Sequence, residues 1–205
     1  MSNVKFRNDD GNTPLDPDQL QGLKYPSVTA MGELDELEDE NIQHGLDWLN
    51  RYRKDDFLSL EFLNKLHKQL FGDVWTWAGK YRKSEVNLSR TRPYNIGPEL
   101  KNLLEDAKVW IQHQSMSWDE IWALLHHRLV SIHPYPNGNG RISRIYVEYL
   151  QKKHGKMTTS WMASLKEDPH ERRNRYINAL RSADQGDYSL LITFMKEKNI
   201  KQQHD

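Results

Sequence analysis

The residues best suited to chemistry lie between His133 and Arg144, where the sequence reads HPYPNGNGRISR. The histidine can exchange a proton near neutral pH, because the unperturbed pKa of its side chain is about 6.5. The glycines of 138–140 let successive backbone amides approach an anion closely. Arg141 and Arg144 are three positions apart and therefore share one face of a helix. The segment indicates a proton acceptor beside a site for a polyphosphate.

The same residues also have a plainer interpretation. The tetrapeptide Asn-Gly-Asn-Gly is by itself typical of an ordinary turn, and two arginines at this spacing usually lie on a solvated helix face. The segment is not a P-loop, because no Lys-Ser/Thr pair follows the second glycine, and it is not a dinucleotide fingerprint, because no strand precedes it. The histidine directly before the glycines favours the phosphate site over the simple turn.

The composition of the 205-residue chain excludes several kinds of site. Lysine plus arginine and aspartate plus glutamate each number 29, so net charge predicts no direct binding to nucleic acid or to an anionic membrane. The absence of cysteine excludes disulfides, thiol catalysis and thiolate metal sites. No apolar run approaches the roughly 20 residues that a spanning helix needs, and the first residues lack the apolar core of a signal peptide. We therefore expect a cytoplasmic protein.

Helices must position these residues, because apolar side chains recur at helical spacing through most of the chain. The sequence at 117–120, Ser-Trp-Asp-Glu, has the form of a capping box and predicts the start of a helix. That helix should end near His133, since Pro134 cannot continue it. A further helix is predicted over 140–153, directly after the glycines.

The chain is predicted to form one all-α helical domain over residues 31–200. Residues 1–30 are polar and rich in proline and glycine, which indicates an extended arm lying on that domain. Residues 79–97 are the exception to the helical period: Val86 and Leu88 alternate with polar residues, which predicts a short β-hairpin.

The segment 133–144 resembles the signature of the Fic (Fido) domain family, HPFx(D/E)GNGRxxR, at nearly every fixed position. The preceding WAGKYR sequence, residues 77–82, is similar to the one that leads into the flap of Fic proteins. The resemblance extends across most of the chain and includes the short Fic subgroup called mobile mystery protein B. It implies an all-α Fic-fold helical bundle with one short β-hairpin flap.

The resemblance implies transfer of AMP from ATP, with Mg²⁺, to a hydroxyl side chain of a target protein. His133 would be the general base that takes the proton from a Ser, Thr or Tyr hydroxyl as it attacks the α-phosphorus. Arg141 would neutralise charge on the β-phosphate side of the leaving pyrophosphate, and Arg144 would reach the γ-phosphate. The groups implied to hold the α- and β-phosphates are the backbone of Gly138 to Gly140 and the side chain of Asn139.

Two positions depart from the family pattern. Tyr135 replaces a phenylalanine that packs into the core, so its hydroxyl needs a hydrogen-bond partner. Asn137 replaces the acidic residue that binds Mg²⁺ on the phosphates, and a neutral amide oxygen is a weaker ligand for this cation than a carboxylate. Asn137 is therefore the predicted metal contact.

The resemblance also implies a strand edge at which the target protein docks and a helix that inhibits the reaction. Residues 84–96 are the implied flap, to whose exposed edge the target's modifiable segment adds as a strand. Many Fic proteins carry an inhibitory helix of the form (S/T)xxxE(G/N), whose glutamate pairs with the second signature arginine. Thr29 to Glu33 match the first five positions, so Glu33 is the inhibitory candidate, with Glu40 behind it. An acidic residue at a helix start is, however, more often a simple partner of the helix dipole.

Two other functions remain open at this point. The same pocket could serve another Fic-type reaction, namely phosphotransfer, phosphocholine transfer or removal of AMP, in which Glu33 could activate water. The chain could instead be a non-catalytic nucleotide-binding module. Family members of this kind are often encoded beside a small helix-turn-helix protein, which implies such a protein as a possible partner.

Overall fold

The computed structural model describes residues 20–28, 30–86, 89–159, 161 and 169–197. In these residues it contains seven α-helices and one short 3₁₀ turn, Pro93–Asn95, so the all-α prediction is confirmed. In chain order the helices are α1 Met31–Arg51, α2 Leu60–Phe71, α3 Ile96–His113, α4 Trp118–Ile132, α5 Asn139–Lys153, α6 Pro169–Ala183 and α7 Ser189–Lys196. No helix in the described ranges is both long enough and apolar enough to cross a membrane.

The helices bury one continuous apolar core. Helix α4 is central, because it contacts α3, α5 and α7, while α2 packs against α1, α3 and α5. The fully buried core side chains come from these helices at helical spacing, and they include Leu63, Leu66, Leu100, Leu103, Ile121, Leu125, Ile142 and Leu150. The packing holds the end of α4 and the start of α5 in fixed positions, and the segment 133–144 lies at that junction.

Helix α4 begins and ends where the sequence predicts. The Ser117 side chain accepts a hydrogen bond from the backbone N–H of Glu120, and the Glu120 carboxylate accepts one from the backbone N–H of Ser117. This reciprocal capping satisfies two amides of the helix start. At the other end His133 has left-handed backbone angles, φ 51° and ψ 60°, and Pro134 follows. The chain therefore turns sharply between α4 and α5.

Helix α5 begins one residue before the predicted 140–153 segment. Its N-cap is Gly138, whose φ of 76° is a conformation that other residues rarely adopt. A Cβ at this position would lie 2.7 Å from ring atoms of Phe71 on α2. Both the backbone angle and the close approach require glycine here, so the loop is pressed tightly against α2.

The described part of the predicted N-terminal arm lies along the domain. Leu23 forms an isolated antiparallel bridge with Trp75. The backbone N–H of Lys24 donates to the carbonyl of Val74, and that of Thr76 donates to the carbonyl of Gly22, both at 2.9 Å. Residues 1–19 and 29 fall outside the described residues, so the division into an arm, 1–30, and a domain, 31–200, stays a prediction.

The predicted β-hairpin over 79–97 is not confirmed. The described residues of this segment, 79–86 and 89–97, contain no strand ladder, while 87 and 88 lie outside the described residues. A physical reason is visible at Arg82, whose guanidinium binds the carbonyl oxygens of Ser84 and Thr91. These oxygens are therefore already paired with a side chain.

Candidate active site

His133 is held with one ring nitrogen available. Its side chain is buried, and its Nε2 has no hydrogen-bond partner among the described residues. Burial and, after it, the positive charge of Arg82 lower the pKa of His133 to about 4, while a hydrogen bond to the backbone of Val130 acts in the opposite direction. Because Nε2 is free, the bond to Val130 uses Nδ1, so the lone pair of the neutral ring is on Nε2. This is the state that a general base requires at neutral pH.

The start of α5 provides backbone N–H groups for an anion. The first helical bond of α5 runs from the N–H of Ile142 to the carbonyl of Gly138. The amides of residues 139–141 therefore have no acceptor within the helix, and the positive end of the helix dipole lies at the same place. This geometry suits a phosphate group.

Arg144 points its charge back to this helix start. Its Nη1 lies 3.9 Å from the position that a Cβ on Gly140 would take. The guanidinium packs over the ring of Tyr176 on α6, 5.9 Å from the ring centroid, and it has no hydrogen-bond acceptor or carboxylate partner in the described part of the chain. The guanidinium is half-buried and has no counter-charge there, so it attracts an anion to the start of α5.

The charges around Arg144 strengthen that conclusion. Burial lowers the pKa of Arg144, and three nearby guanidinium groups lower it further. Those groups belong to Arg141, Arg172 and Arg173. Like charges gathered around a buried site repel one another, and a polyanion would relieve this repulsion.

Arg141 forms an ion pair with a carboxylate of α1. Its Nη1 donates to Glu38 Oε2 at 2.5 Å, and its guanidinium lies 4.7 Å from the ring centroid of Phe71. The other carboxylate oxygen of Glu38 accepts a hydrogen bond from the indole Nε1 of Trp75 at 2.6 Å. Glu38 is buried, so both of its oxygens are held in place. The first signature arginine is therefore paired within the chain.

Among the acidic residues of α1, the one that contacts a signature arginine in the described residues is Glu38, whereas the inhibitory role of Glu33 stays a prediction. Glu33 and Glu40 are exposed on α1, and neither has a hydrogen bond or ion pair with Arg141 or Arg144 in the described residues. Sequence reasoning missed Glu38 because it compared the acidic run with a short family motif. The helical spacing held the information: Leu34, Glu38 and Asn41 follow each other at steps of four and three, and all three are buried.

Asn139 does not offer its side chain to a phosphate, contrary to the prediction. Its Oδ1 accepts from the backbone N–H of Tyr135 at 2.9 Å, and its Nδ2 donates to the carbonyl of Tyr135 at 2.8 Å. Both polar atoms of the buried amide are therefore used to close the loop between α4 and α5. Asn139 shapes the phosphate site through the backbone, with its N–H as the remaining contact.

Asn137 and Tyr135 are also built into the loop. Asn137 Oδ1 accepts from the N–H of Gly138, and the backbone oxygen of Asn137 is 3.1 Å from His67 Nε2. The Tyr135 hydroxyl donates to Asn64 Oδ1 at 2.9 Å, and its ring stacks on His67 with centroids 3.7 Å apart. The hydroxyl that replaces the family's phenylalanine therefore finds the partner that the sequence analysis required.

The other histidines of α4 have structural contacts. His126 Nε2 lies 2.9 Å from the Tyr176 hydroxyl, and His127 Nε2 lies 2.9 Å from Asp184 Oδ1. Within the described ranges no group of three or more His, Asp or Glu side chains is arranged to hold a metal ion.

Comparison with known proteins gives consistent results. The Fic/DOC family model matches residues 57–151. A curated relative from Aedes aegypti, "Protein adenylyltransferase Fic", is 26 % identical over 171 residues, which are 78 % of this chain and 33 % of that protein. The chain thus spans about one third of the length of the curated relatives it matches.

Several of the similar solved structures are Fic domains of Bartonella effectors. The N-terminal FIC domain of Bep8 from Bartonella sp. 1-1C matches with a TM-score of 0.69 and 17 % identity, covering 87 % of this chain and 89 % of that one. BepC from Bartonella tribocorum, solved with bound AMPPNP, matches with a TM-score of 0.66 and 20 % identity, covering 91 % of this chain and 92 % of that one. The segment that matches the Fic/DOC family model contains the loop from His133 to Arg144 and nearly all of helices α2 to α5, and the solved structures show that the chain has the fold of Fic domains.

Proposed function

We propose that this protein is an adenylyltransferase that moves AMP from ATP to a Ser, Thr or Tyr hydroxyl of a target protein. The observation that carries the proposal is Arg144, a half-buried guanidinium that has no hydrogen-bond acceptor in the described residues and lies close to the free amides at the start of α5. The name of the Aedes aegypti relative and the AMPPNP bound to BepC support the same chemistry.

The residues have the following roles in this reaction. His133 Nε2 accepts the proton of the target hydroxyl, whose oxygen then forms a bond to the α-phosphorus. The bond between the α-phosphorus and the α,β-bridging oxygen breaks, and pyrophosphate leaves with the electron pair. The amides of residues 139–141 bind the phosphates, while Arg144 stabilises charge on the γ-phosphate and Arg141 that on the β-phosphate. Most of the rate enhancement then comes from positioning and charge.

Mg²⁺ stays a prediction, with Asn137 as its predicted contact. The described residues offer this cation one neutral amide oxygen, which already accepts the N–H of Gly138. Such a donor set does not make a metal site without the substrate's own phosphates. The roles given above therefore involve no step at a metal ion.

Glu38 restrains this reaction in the present conformation. Its ion pair with Arg141 occupies the guanidinium that the leaving pyrophosphate needs, and the pair is only partly exposed to solvent. Removal of the negative charge frees Arg141 without removing the side chain's contact with Trp75. Glu38 takes over the inhibitory role that the sequence analysis gave to Glu33.

The proposal is tested with α-³²P-ATP and the purified chain, with label followed on the protein itself and on lysate proteins. The wild type is compared with Glu38→Gln, Glu33→Gln and His133→Ala. We expect Glu38→Gln to raise labelling about tenfold, equivalent to about 1.4 kcal/mol. Glu33→Gln is the matched control, an exposed carboxylate of the same helix, and should behave as wild type.

His133→Ala should bind ATP and transfer no label. Label that persists in His133→Ala would contradict the assigned base. Label retained from γ-³²P-ATP but not from α-³²P-ATP would indicate phosphotransfer, and nucleotide binding with no label in any variant would indicate a binding module. The helix-turn-helix partner, the cytoplasmic location and the similarity to mobile mystery protein B remain predictions.

A further inference from the structure

Arg82 is a buried arginine whose side-chain hydrogen bonds, among the described residues, all go to backbone oxygens. It is 3 % exposed and lies in the irregular segment that follows the turn at Gly79. Its hydrogen bonds reach no carboxylate in the part of the chain that the structure describes. The acceptors are the carbonyl oxygens of Ile132 at 3.4 Å, His133 at 2.7 Å, Ser84 at 2.7 Å and Thr91 at 2.5 Å.

Some of these hydrogen bonds fix the backbone around His133, the proposed general base. Nε donates to the carbonyl of His133 itself, Nη2 donates to that of Ile132, and the backbone N–H of Arg82 donates to Pro134 at 2.9 Å. The carbonyls at the end of a helix lack intrahelical donors, and the negative end of the helix dipole favours a cation. His133 also has a left-handed backbone that is uncommon for a residue with a side chain. Arg82 stabilises this strained turn.

The other hydrogen bonds hold Ser84 and Thr91, the two ends of residues 84–91, a part of the predicted flap that we call the flap segment. Nη1 and Nη2 bind the carbonyls of Ser84 and Thr91, which are seven positions apart, so the two ends of residues 84–91 are tied to one side chain. Ser89 adds a second link, because its hydroxyl lies 2.7 Å from the carbonyl of Ser131 and 3.0 Å from that of Ile132. The flap segment and the end of α4 are therefore joined through a single buried guanidinium.

We propose that Arg82 is a positioning residue for the transfer reaction, which fixes the flap segment and the backbone of His133 relative to each other. This inference rests on the proposed function. A target segment bound at the flap must bring its hydroxyl within about 3 Å of the His133 Nε2, and a misplacement of about 1 Å can cost about 100-fold in rate. Arg82 is the residue that sets this distance between the target hydroxyl and His133 Nε2.

The charge of Arg82 has a separate, measurable effect on the same histidine. After burial, this charge is the next cause that lowers the pKa of His133, and Glu85 is the carboxylate whose charge acts on Arg82. A lysine at position 82 keeps the charge but cannot reach four carbonyls with a planar fork. A glutamine loses the charge. The two substitutions therefore separate positioning from electrostatics.

The test compares wild type, Arg82→Lys and Arg82→Gln by the pH profile of AMP transfer and by NMR titration of the His133 ring. We expect kcat to fall about 100-fold in both variants, with the KM for ATP unchanged because Arg82 does not line the phosphate site. The His133 titration should stay near its wild-type midpoint in Arg82→Lys and move to higher pH in Arg82→Gln. Circular dichroism at each pH establishes that the variants are folded.

Lys83→Gln is the matched control, since it removes an exposed positive charge from the neighbouring position and should change neither readout. Wild-type kcat in Arg82→Lys and Arg82→Gln would overturn the proposal. A His133 midpoint that is the same in Arg82→Gln and wild type would overturn the electrostatic part. If the wild type transfers no AMP, the proposed function fails, whereas the NMR titration still reports whether Arg82 and His133 are coupled.

Discussion

At the scale of single residues, the site contains two kinds of polar group. Asn139 and Glu38 have every side-chain oxygen and nitrogen in a hydrogen bond, whereas His133 Nε2 and the Arg144 guanidinium have none in the described residues. A buried polar group without a partner costs about 1–3 kcal/mol, and a buried charge costs more. In the proposed reaction the target hydroxyl meets His133 Nε2 and the nucleotide phosphates meet the half-buried Arg144 guanidinium, so both groups gain a partner when the substrates bind.

Asn137 gives the first prediction at this scale. Asn137→Asp adds a charge to the predicted metal contact without changing the shape of the side chain, and aspartate can still accept the N–H of Gly138. Because a carboxylate is the stronger ligand for a hard cation, we expect half-maximal AMP transfer at about tenfold lower Mg²⁺ concentration. The measurement is transfer of α-³²P label over a Mg²⁺ titration.

Asn102→Asp serves as the control for this titration, because it adds the same charge at an exposed position of α3, outside the loop and the predicted flap. Its Mg²⁺ dependence should match that of the wild type. An Asn137→Asp titration identical to wild type would show that position 137 does not contact the metal ion.

At the scale of elements, the loop between α4 and α5 depends on a histidine of α2. His67 is fully buried, its Nδ1 accepts the N–H of Gly79 at 2.9 Å, and its Nε2 therefore carries the proton that it donates to the carbonyl of Asn137. Burial lowers the pKa of His67 to about 3, so the ring stays neutral and keeps this pattern. One neutral ring thus connects α2, the turn before the flap segment, and the phosphate loop.

The substitution His67→Phe keeps the stacking on Tyr135 and removes both hydrogen bonds. The N–H of Gly79 and the carbonyl of Asn137, both in half-buried residues, then lose their partner, so we expect the free energy of unfolding to fall by roughly 2 kcal/mol. AMP transfer should also fall, because the loop is no longer fixed. Urea unfolding and label transfer measure the two effects.

Tyr135→Phe is the comparison for His67→Phe. It removes the hydroxyl that donates to Asn64 but leaves the ring and the loop's hydrogen bonds in place. We expect a loss of about 1 kcal/mol in the free energy of unfolding and unchanged transfer. Equal losses in the two variants would mean that aromatic packing, and not the hydrogen bonds of His67, holds the loop.

The sequence predicted those elements whose signals are local. The capping box at Ser117 and the proline after His133 define α4, and both act within a few residues along the chain. Glu38 and Arg82 were missed because their partners are 103 and about 50 positions away, so no local spacing encodes the pairs. The hairpin is not confirmed in the described residues of 79–97, where the side chain of Arg82 binds the carbonyls of Ser84 and Thr91. Long-range polar contacts of this kind depend on how the helices pack.

At the scale of the whole molecule, three buried histidines make stability depend on pH. Burial is the main cause that lowers the pKa of His67 and His126 to about 3 and of His133 to about 4. In the unfolded chain each would titrate near 6.5. Between these values the unfolded state binds protons that the folded state does not, so the free energy of unfolding rises with pH.

We therefore expect the protein to lose stability as pH falls from 7 to 5, before most carboxylates protonate. Each buried histidine contributes a slope of up to about 1.4 kcal/mol per pH unit. Urea unfolding at several pH values measures how steeply the free energy of unfolding rises with pH in the wild type and in His126→Phe. The variant has lost one titrating group, so its slope should be shallower whatever its stability at pH 7. His113→Gln, at an exposed position, should keep the wild-type slope. If His126→Phe also keeps the wild-type slope, His126 binds a proton in the folded state as readily as in the unfolded state. The pH dependence of the stability of α4 packed with α6 must then come from another group.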